Sequence, residues 1–391
     1  MFSSRLPATL APNAISRALA QLRADGVSIL DLTETNPTNV DLPYGSEIAE
    51  AFSRVDSRRY APDPAGLLSA REAVAREYAG DGVTVDPAHV LLTASTSEAY
   101  ALLFKLLCNP GDHVLVPQPS YPLFDSLTQL EGVVAQPYRL RYDGYWTIDR
   151  ASVEDAISNR TRAILVVNPN NPTGSLLRAD DREWLVARAS AARIAVIADE
   201  VFAGYPLRPG ADAVSCLGES RVLTFVLGGL SKAAGLPQMK LAWILTSGPG
   251  NDVSQAVSRL EIIADTYLSV STPVQLAAPA LLMAGRTIRA HIQERVRTNL
   301  EAVERLAGST SPMTVLPVEG GWSAVIRVPA TEAEEALVLR LLHDHGVLIH
   351  PGFFFDFPDE AYLVASLLPE PAVFSEAMSR VPGALGGDRT R

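Results

Sequence analysis

Short apolar runs alternate with helix-period stretches through the middle of the chain. The runs "HVLLTA" (89–94), "HVLVP" (113–117), "RAILVVN" (162–168), "RIAVIAD" (193–199), "RVLTFVL" (221–227) and "LAWILT" (241–246) are rich in β-branched residues. They lack the alternation of a half-exposed strand, so they predict strands covered by helices on both faces. Between the first two, "SEAYALLFKLL" (97–107) predicts a helix. This alternation implies an α/β layered unit around a mostly parallel sheet, with ligands expected at the carboxyl ends of its strands.

After about residue 250 the pattern changes. Long helical periodicity runs through "NDVSQAVSRLEIIADTYL" and "QLAAPALLMAGRTIRAHIQERVRTNLEAVERLA". The segments "GWSAVIRVP", "EEALVLRLLHDHGVLIHPG" and "AYLVASLL" then predict strands and a helix, a smaller α+β unit completed by the N-terminal segment. With 391 residues, two domains are the natural expectation. The expected division is a large domain over 44–285 and a small domain from 1–43 and 286–391. The polar tail "GALGGDRTR" is expected to fray.

Composition narrows the partners. The chain is 47% hydrophobic and 20% charged, enough for a large core. A net charge of −11 argues against nucleic acid or an anionic membrane. No apolar run approaches a membrane span, and the start "MFSSRLPATLAP" lacks the apolar region of a signal peptide. Cys108 and Cys216 stand alone in apolar context, which makes neither a disulfide framework nor a metal site. A cytoplasmic location is expected. His343 and His345 end an apolar helical run, and no metal is expected.

Four stretches carry candidate chemistry. Strand "HVLLTA" runs into Ser95, Thr96, Ser97 and Glu98 at a helix start, which suits either a phosphate or an ordinary N-cap. "VVNPNNPTGSLL" (166–177) sets two Asn-Pro steps at a strand end. It is either a plain rigid turn or a device holding the Asn171 amide toward a ligand. In "VIADEVF", Asp199 must meet a positive partner, be solvated, or share a metal with Glu200. In "GGLSKAAGLPQMK", Lys232 sits in a dry, glycine-lined strand end, which lowers a lysine pKa and frees its amine as a nucleophile. A reactive lysine, a phosphate anchor and an aspartate able to pair a pyridinium are the parts a pyridoxal phosphate site needs.

With "NPNNPTG", "ADEVF" and "LSK" in that order and spacing, the chain resembles the class I/II aminotransferases of the fold-type I pyridoxal phosphate enzymes. The resemblance runs from "LDLTETNPT" to "AYLVASLL". It implies that Lys232 is the Schiff-base lysine and proton shuttle and that Asp199 pairs with the pyridinium. Asn171 would bond the phenolic oxygen and lie near the substrate carboxylate, and Tyr121 would stack on the ring. Ser95, Thr96, Ser97, Ser231 and Lys240 would hold the phosphate. Tyr60 would reach the phosphate of a neighbouring subunit, so a homodimer with shared sites is implied.

Four positions depart from the family pattern. Lys240 stands where arginine is commoner, Gly229 replaces a phosphate-binding serine, and Phe202 replaces a tyrosine. Val364 stands near the usual carboxylate-clamping arginine, leaving Arg5, Asn36 and Arg327 as candidates, with Arg5 and Asn36 preferred. The resulting expectation is transfer of an amino group between an amino acid and a 2-oxo acid. A carbon–sulfur β-lyase or other Cα chemistry shares the same apparatus. A non-catalytic sensor domain is disfavoured by the presence of Lys232 and the lack of a basic DNA-binding segment.

Overall fold

The computed structural model describes residues 2–7, 9–53, 56–79, 83–208, 214–268, 270–308, 311–359 and 361–385. The chain begins with α1 (Ala14–Ala24) and β1 (Leu30–Asp31), then α2 (Glu47–Ser53) and α3 (Leu68–Ala79). A large sheet follows in chain order: β2 (Val90–Thr93), β3 (His113–Gln118), β4 (Val134–Tyr142), β5 (Trp146–Ile148), β6 (Thr161–Val167), β7 (Ala195–Asp199), β8 (Thr224–Gly229) and β9 (Ala242–Ser247). Its helices are α4 (Thr96–Leu107), α5 (Leu123–Glu131), α6 (Arg150–Ala156), α7 (Ala179–Ala192), the single turn α8 (Leu230–Ala233) and α9 (Gly250–Tyr267).

The spatial order is β2-β9-β8-β7-β6-β3-β4-β5. The five strands from β8 to β4 pair in parallel, while β9 is antiparallel to both neighbours and β5 is antiparallel to β4. Continuous apolar composition is explained by burial on both faces. Leu165 and Val167 of β6 pack with α4 and α9 residues such as Leu103 and Leu260, while Ile164 and Val166 join the cluster holding Leu185 of α7 and Leu281. The sequence-predicted runs coincide with β2, β3, β6, β7 and β9 to within two residues, and β8 extends further to take in Gly228 and Gly229. Strand β4 escaped the sequence reading, because its alternating polar residues and Pro137 do not resemble a buried strand.

A second, antiparallel sheet has the order β10-β11-β14-β13, with β10 (Thr314–Val315), β11 (Ser323–Arg327), β13 (His350–Pro351) and β14 (Tyr362–Ser366). The N-terminal segment joins this part of the chain through β1, which pairs in parallel with β12 (Val347–Leu348). Helices α11 (Glu334–His345) and α12 (Pro371–Leu385) cover it. His343 and His345 lie in the last turn of α11. The polar tail is helical up to Leu385, and 386–391 lie outside the described residues.

Helix α10 (Thr272–Leu306) is one continuous element of 35 residues. It packs against α2 and α3 and also against α12, so a boundary at 285/286 falls inside a rod shared by both parts. We propose the 44–285 division with this rod as its seam. At Gly285 the rod touches the turn after α8: a Cβ built there would lie 2.9 Å from Ala234 Cα. No side chain fits without moving α10 off α8. Gly285→Ala is therefore expected to cost about 1–3 kcal/mol of stability, read as a lowered thermal unfolding midpoint; an unchanged midpoint would show that the rod can slide.

Candidate active site

Strands β6, β7 and β8 are neighbours in register, with Val167 opposite Asp199 and Asp199 opposite Leu227. The segments leaving their carboxyl ends meet at one cavity of about 270 Å³. Asn171 arrives from β6, Asp199 ends β7, and Ser231 and Lys232 lie on α8 just beyond β8. Thr96 and Ser97 come from the first turn of α4, and Tyr121 from the segment after β3. Seven residues scattered through the sequence thus line one space.

The turn after β6 shows why Asn171 is the asparagine that faces the cavity. Asn168 is consumed locally: its side-chain oxygen accepts from Leu177 N at 3.0 Å and its amide donates to the Val214 carbonyl at 3.0 Å. Asn170 accepts from the Thr173 hydroxyl at 3.0 Å and closes the turn with its backbone. Gly174 adopts φ +67, and a side chain there would strike Val318 and the Gly320 carbonyl. Asn171 alone is left over, touched at 3.4 Å by the Ser323 hydroxyl on its side-chain oxygen, so its amide hydrogens are free for a ligand.

At the start of α4 the bland and the functional readings divide between adjacent residues. Ser95 is an N-cap whose hydroxyl accepts from Glu98 N at 3.1 Å, and Glu98 reaches back to Ala94 N. Thr96 and Ser97, one and two positions on, line the cavity. The helix start therefore supplies free N–H groups and two hydroxyls, suited to an anion.

Lys232 is fixed from several sides. The Tyr205 hydroxyl donates to its carbonyl, Leu236 N closes back to the Leu230 carbonyl, and Tyr44 donates to the Gly235 carbonyl at 2.7 Å. Its amine lies 4.3 Å from the Trp322 ring centroid and 5.3 Å from that of Phe202. Burial pushes its pKa down to about 8, with the charge of Asp199 pulling the other way. Asp199 is buried too, which raises its pKa, while hydrogen bonds from the Tyr100 hydroxyl (2.6 Å) and Val201 N (3.2 Å) favour its charged form.

Glu200 faces away from this space. Its carboxylate accepts from the Ser215 hydroxyl at 2.6 Å and from Cys216 N at 2.8 Å, and burial raises its pKa to about 7. A shared metal for Asp199 and Glu200 is thereby set aside, and the described residues hold no cluster of three or more metal-ligating side chains. Phe202 and Gly229 line the cavity as departures from the expected pattern. Gly229 has a local reason: a Cβ there would lie 2.9 Å from the Cβ of Ala242 on the paired strand β9.

Several expected site residues lie elsewhere. Lys240 is exposed, with φ +52, and Tyr60 is 70% exposed; neither lines the cavity. Arg5 is exposed and donates to the Leu130 carbonyl at 3.0 Å. Asn36 caps a short turn by accepting from Thr38 N, and Arg327 ends β11 on the surface. None of these three reaches the cavity, whereas Thr33 and Thr35 do. Tyr100 was missed by sequence reasoning, since it sits among the apolar positions of an amphipathic helix and its partner lies 99 positions along the chain.

The comparisons agree with this geometry. Residues 37–364 match the family described as Aminotransferase class I and II. The chain is 28% identical to the alanine aminotransferase of Mycobacterium tuberculosis, covering 93% of this chain and 86% of that one. It is 27% identical to mouse tyrosine aminotransferase over 90% and 80%. Alanine aminotransferase from Pyrococcus furiosus superposes with a TM-score of 0.88 at 27% identity, covering 99% and 100%. The fold and the converging strand-end residues define a fold-type I pyridoxal phosphate enzyme. The chain belongs to the class I and II aminotransferases, which move amino groups between amino acids and 2-oxo acids.

The cavity fits that cofactor on its own chemistry: one buried amine, one buried carboxylate held by a tyrosine, and a hydroxyl-bearing helix start share it. Two outcomes follow for the residues themselves. The charged Lys232 is disfavoured by folding, a cost fully present below pH about 8 and gone above 10.5, where the unfolded chain also loses the proton. Cofactor-free Lys232→Met should therefore be more stable than wild type by about 3 kcal/mol at pH 7, the gap closing between those limits in denaturant titrations. Tyr100→Phe removes a hydrogen bond to the charged form of Asp199 and should weaken cofactor binding about 10-fold, measured by equilibrium absorbance; unchanged affinity would show the bond to be incidental.

Proposed function

We propose that Lys232 and Asp199 are the catalytic pair of this aminotransferase, and that its amino donor is an amino acid with an apolar side chain. The observation that carries the second part is the lining of the cavity. Among the described residues its Lys, Arg, Asp and Glu are limited to Lys232 and Asp199, and Phe124, Phe202, Trp322, Phe354, Phe355 and Val364 give it large apolar surfaces. Relatives named alanine and tyrosine aminotransferase are in keeping with this reading, while another is named a glutamate-pyruvate aminotransferase.

Pyridoxal phosphate supplies a carbonyl for the substrate amine and a ring that takes up the electron pair left at Cα. Lys232 is the proton carrier: with its pKa lowered to about 8, the amine is neutral often enough near neutral pH to take a proton from Cα and then, as the ammonium, give it up at a second position. Asp199, steadied by Tyr100, is the counter-charge for the ring nitrogen. Thr96, Ser97 and Ser231 would hold the phosphate by hydroxyl groups, with Ser95 capping the helix that presents the first two; Lys240, exposed and off the cavity, would contribute at most a distant positive charge. Tyr121 covers the ring, and Asn171 donates its free amide hydrogens. The lyase alternative gains no support, because the family and the named relatives are aminotransferases.

We also infer a homodimer in the cytoplasm. Tyr60 lies exposed and away from its own cavity, and Phe2, Leu10, Tyr267, Leu268 and Met283 are exposed large apolar residues suited to a subunit contact. Both cysteines are unpaired, and among the described residues no helix is long and apolar enough to cross a membrane.

The test is the first half-reaction. Mixing holoenzyme with phenylalanine, leucine or alanine should convert the visible band to that of the pyridoxamine form, and a 2-oxo acid should restore it. Aspartate should react about 10-fold more slowly. Lys232→Ala should slow the conversion by about 10⁴-fold. A faster reaction with aspartate would sink the apolar-donor reading, and ammonia release without a 2-oxo acid would indicate elimination.

A further inference from the structure

The wall of the cavity opposite the large sheet is built by the small antiparallel sheet. Ser323 of β11 pairs with Ser366 of β14, and His350 of β13 pairs with Val364 of β14. All four residues line the cavity. Their polar groups are not equally available. The Ser366 hydroxyl donates to the Glu34 carbonyl at 2.6 Å and accepts from Leu368 N at 3.2 Å. The Ser323 hydroxyl is turned to Asn171. The His350 imidazole has edge-on and tilted contacts with Phe355 and Phe354, at 5.7 and 5.8 Å between centroids, and no hydrogen-bond partner among the described residues. Among the described residues it is the uncommitted donor carried by the strands of this wall; the buried indole N–H of Trp322, next to Ser323, is also without a partner.

We propose that His350 is a specificity-determining residue of this enzyme, donating a hydrogen bond from its imidazole to the carboxylate of the substrate. No guanidinium lines the cavity among the described residues, and the amine of Lys232 is engaged in the reaction itself. Beyond Lys232, a carboxylate entering this space meets neutral donors among the described residues of this chain, and buried anions are costly without donors. The imidazole and the free amide hydrogens of Asn171 are such donors. Burial lowers the pKa of His350, opposed by Asp31, so the ring enters the encounter neutral, with one N–H to give and one nitrogen to accept. Asp31 is itself occupied by Thr33 and Arg23 and does not claim that N–H. Phe354 and Phe355, on the turn that follows β13, flank the same ring and offer an apolar surface for the rest of the substrate.

This inference rests on the apolar-donor reading of the same cavity, and an unreactive ligand separates the two. The probe is 3-phenylpropanoate, whose binding to holoenzyme is followed by the shift of the visible band; 3-phenylpropan-1-ol has the same apolar part without the carboxylate. His350→Leu should weaken the acid about 10-fold and change the alcohol by less than about twofold. His350→Gln, which keeps an N–H donor, should hold the acid within about threefold of wild type. Cofactor content and thermal midpoint report whether each variant is folded. An unchanged acid affinity in His350→Leu, an equal loss for acid and alcohol, a loss in His350→Gln as large as in His350→Leu, or no binding of the acid to wild type would each overturn the proposal. A donor screen that favours aspartate, with the acid still dependent on His350, removes only the apolar-donor reading.

Discussion

The interaction on which this site depends is the opposition of one buried amine and one buried carboxylate in a space that holds little else able to carry charge. Lys232 is stripped of water by Trp322, Phe202 and the packed turn of α8, and Asp199 by the end of a strand covered on both faces. Each shifts away from its ordinary charge state by desolvation, and each restrains the shift of the other. The balance leaves an amine that can exchange a proton near neutral pH and a carboxylate whose charge is propped up by a tyrosine. Loosening either wall would let water in and return both groups to ordinary surface behaviour.

Everything around this pair serves to hold it without adding charge. The turn after β6 uses two asparagines to fix its own backbone and leaves the third exposed to ligand. The start of α4 likewise spends Ser95 and Glu98 on capping and leaves Thr96 and Ser97 free. In both places a residue spent on the local backbone and one that faces the cavity stand side by side, so the plain reading of the motif describes the first and leaves the second free. The small sheet adds the far wall, where Ser323, His350, Val364 and Ser366 line the cavity.

Most of the large sheet was legible because burial on both faces leaves a distinctive signal, a β-branched run without alternation. The residues at its strand ends were legible for a related reason: a polar side chain interrupts an apolar run only where something compensates it. Tyr100 and His350 gave no such signal. Tyr100 sits in an amphipathic helix where any aromatic would pass, and its importance comes from a strand almost a hundred residues later. His350 gains its place from the register of two short strands, which local pattern does not encode. Arg5 and Asn36 were attractive as nearby polar residues, but each is satisfied by backbone close at hand. The domain boundary fell inside α10 because a single helical period runs unbroken through both parts.

That helix also has a mechanical meaning. At 1.5 Å per residue its 35 residues form a shaft roughly 50 Å long. It bears on α2 and α3 at one side and on α12 at the other, and at Gly285 it rests directly on the backbone two residues beyond Lys232. Pro279, six positions earlier, lacks the N–H that would complete one rung of the helical ladder. The same rod thus packs against α12, which covers the small sheet, and against the turn that carries Lys232, so one helix spans the two parts of the chain that wall the cavity.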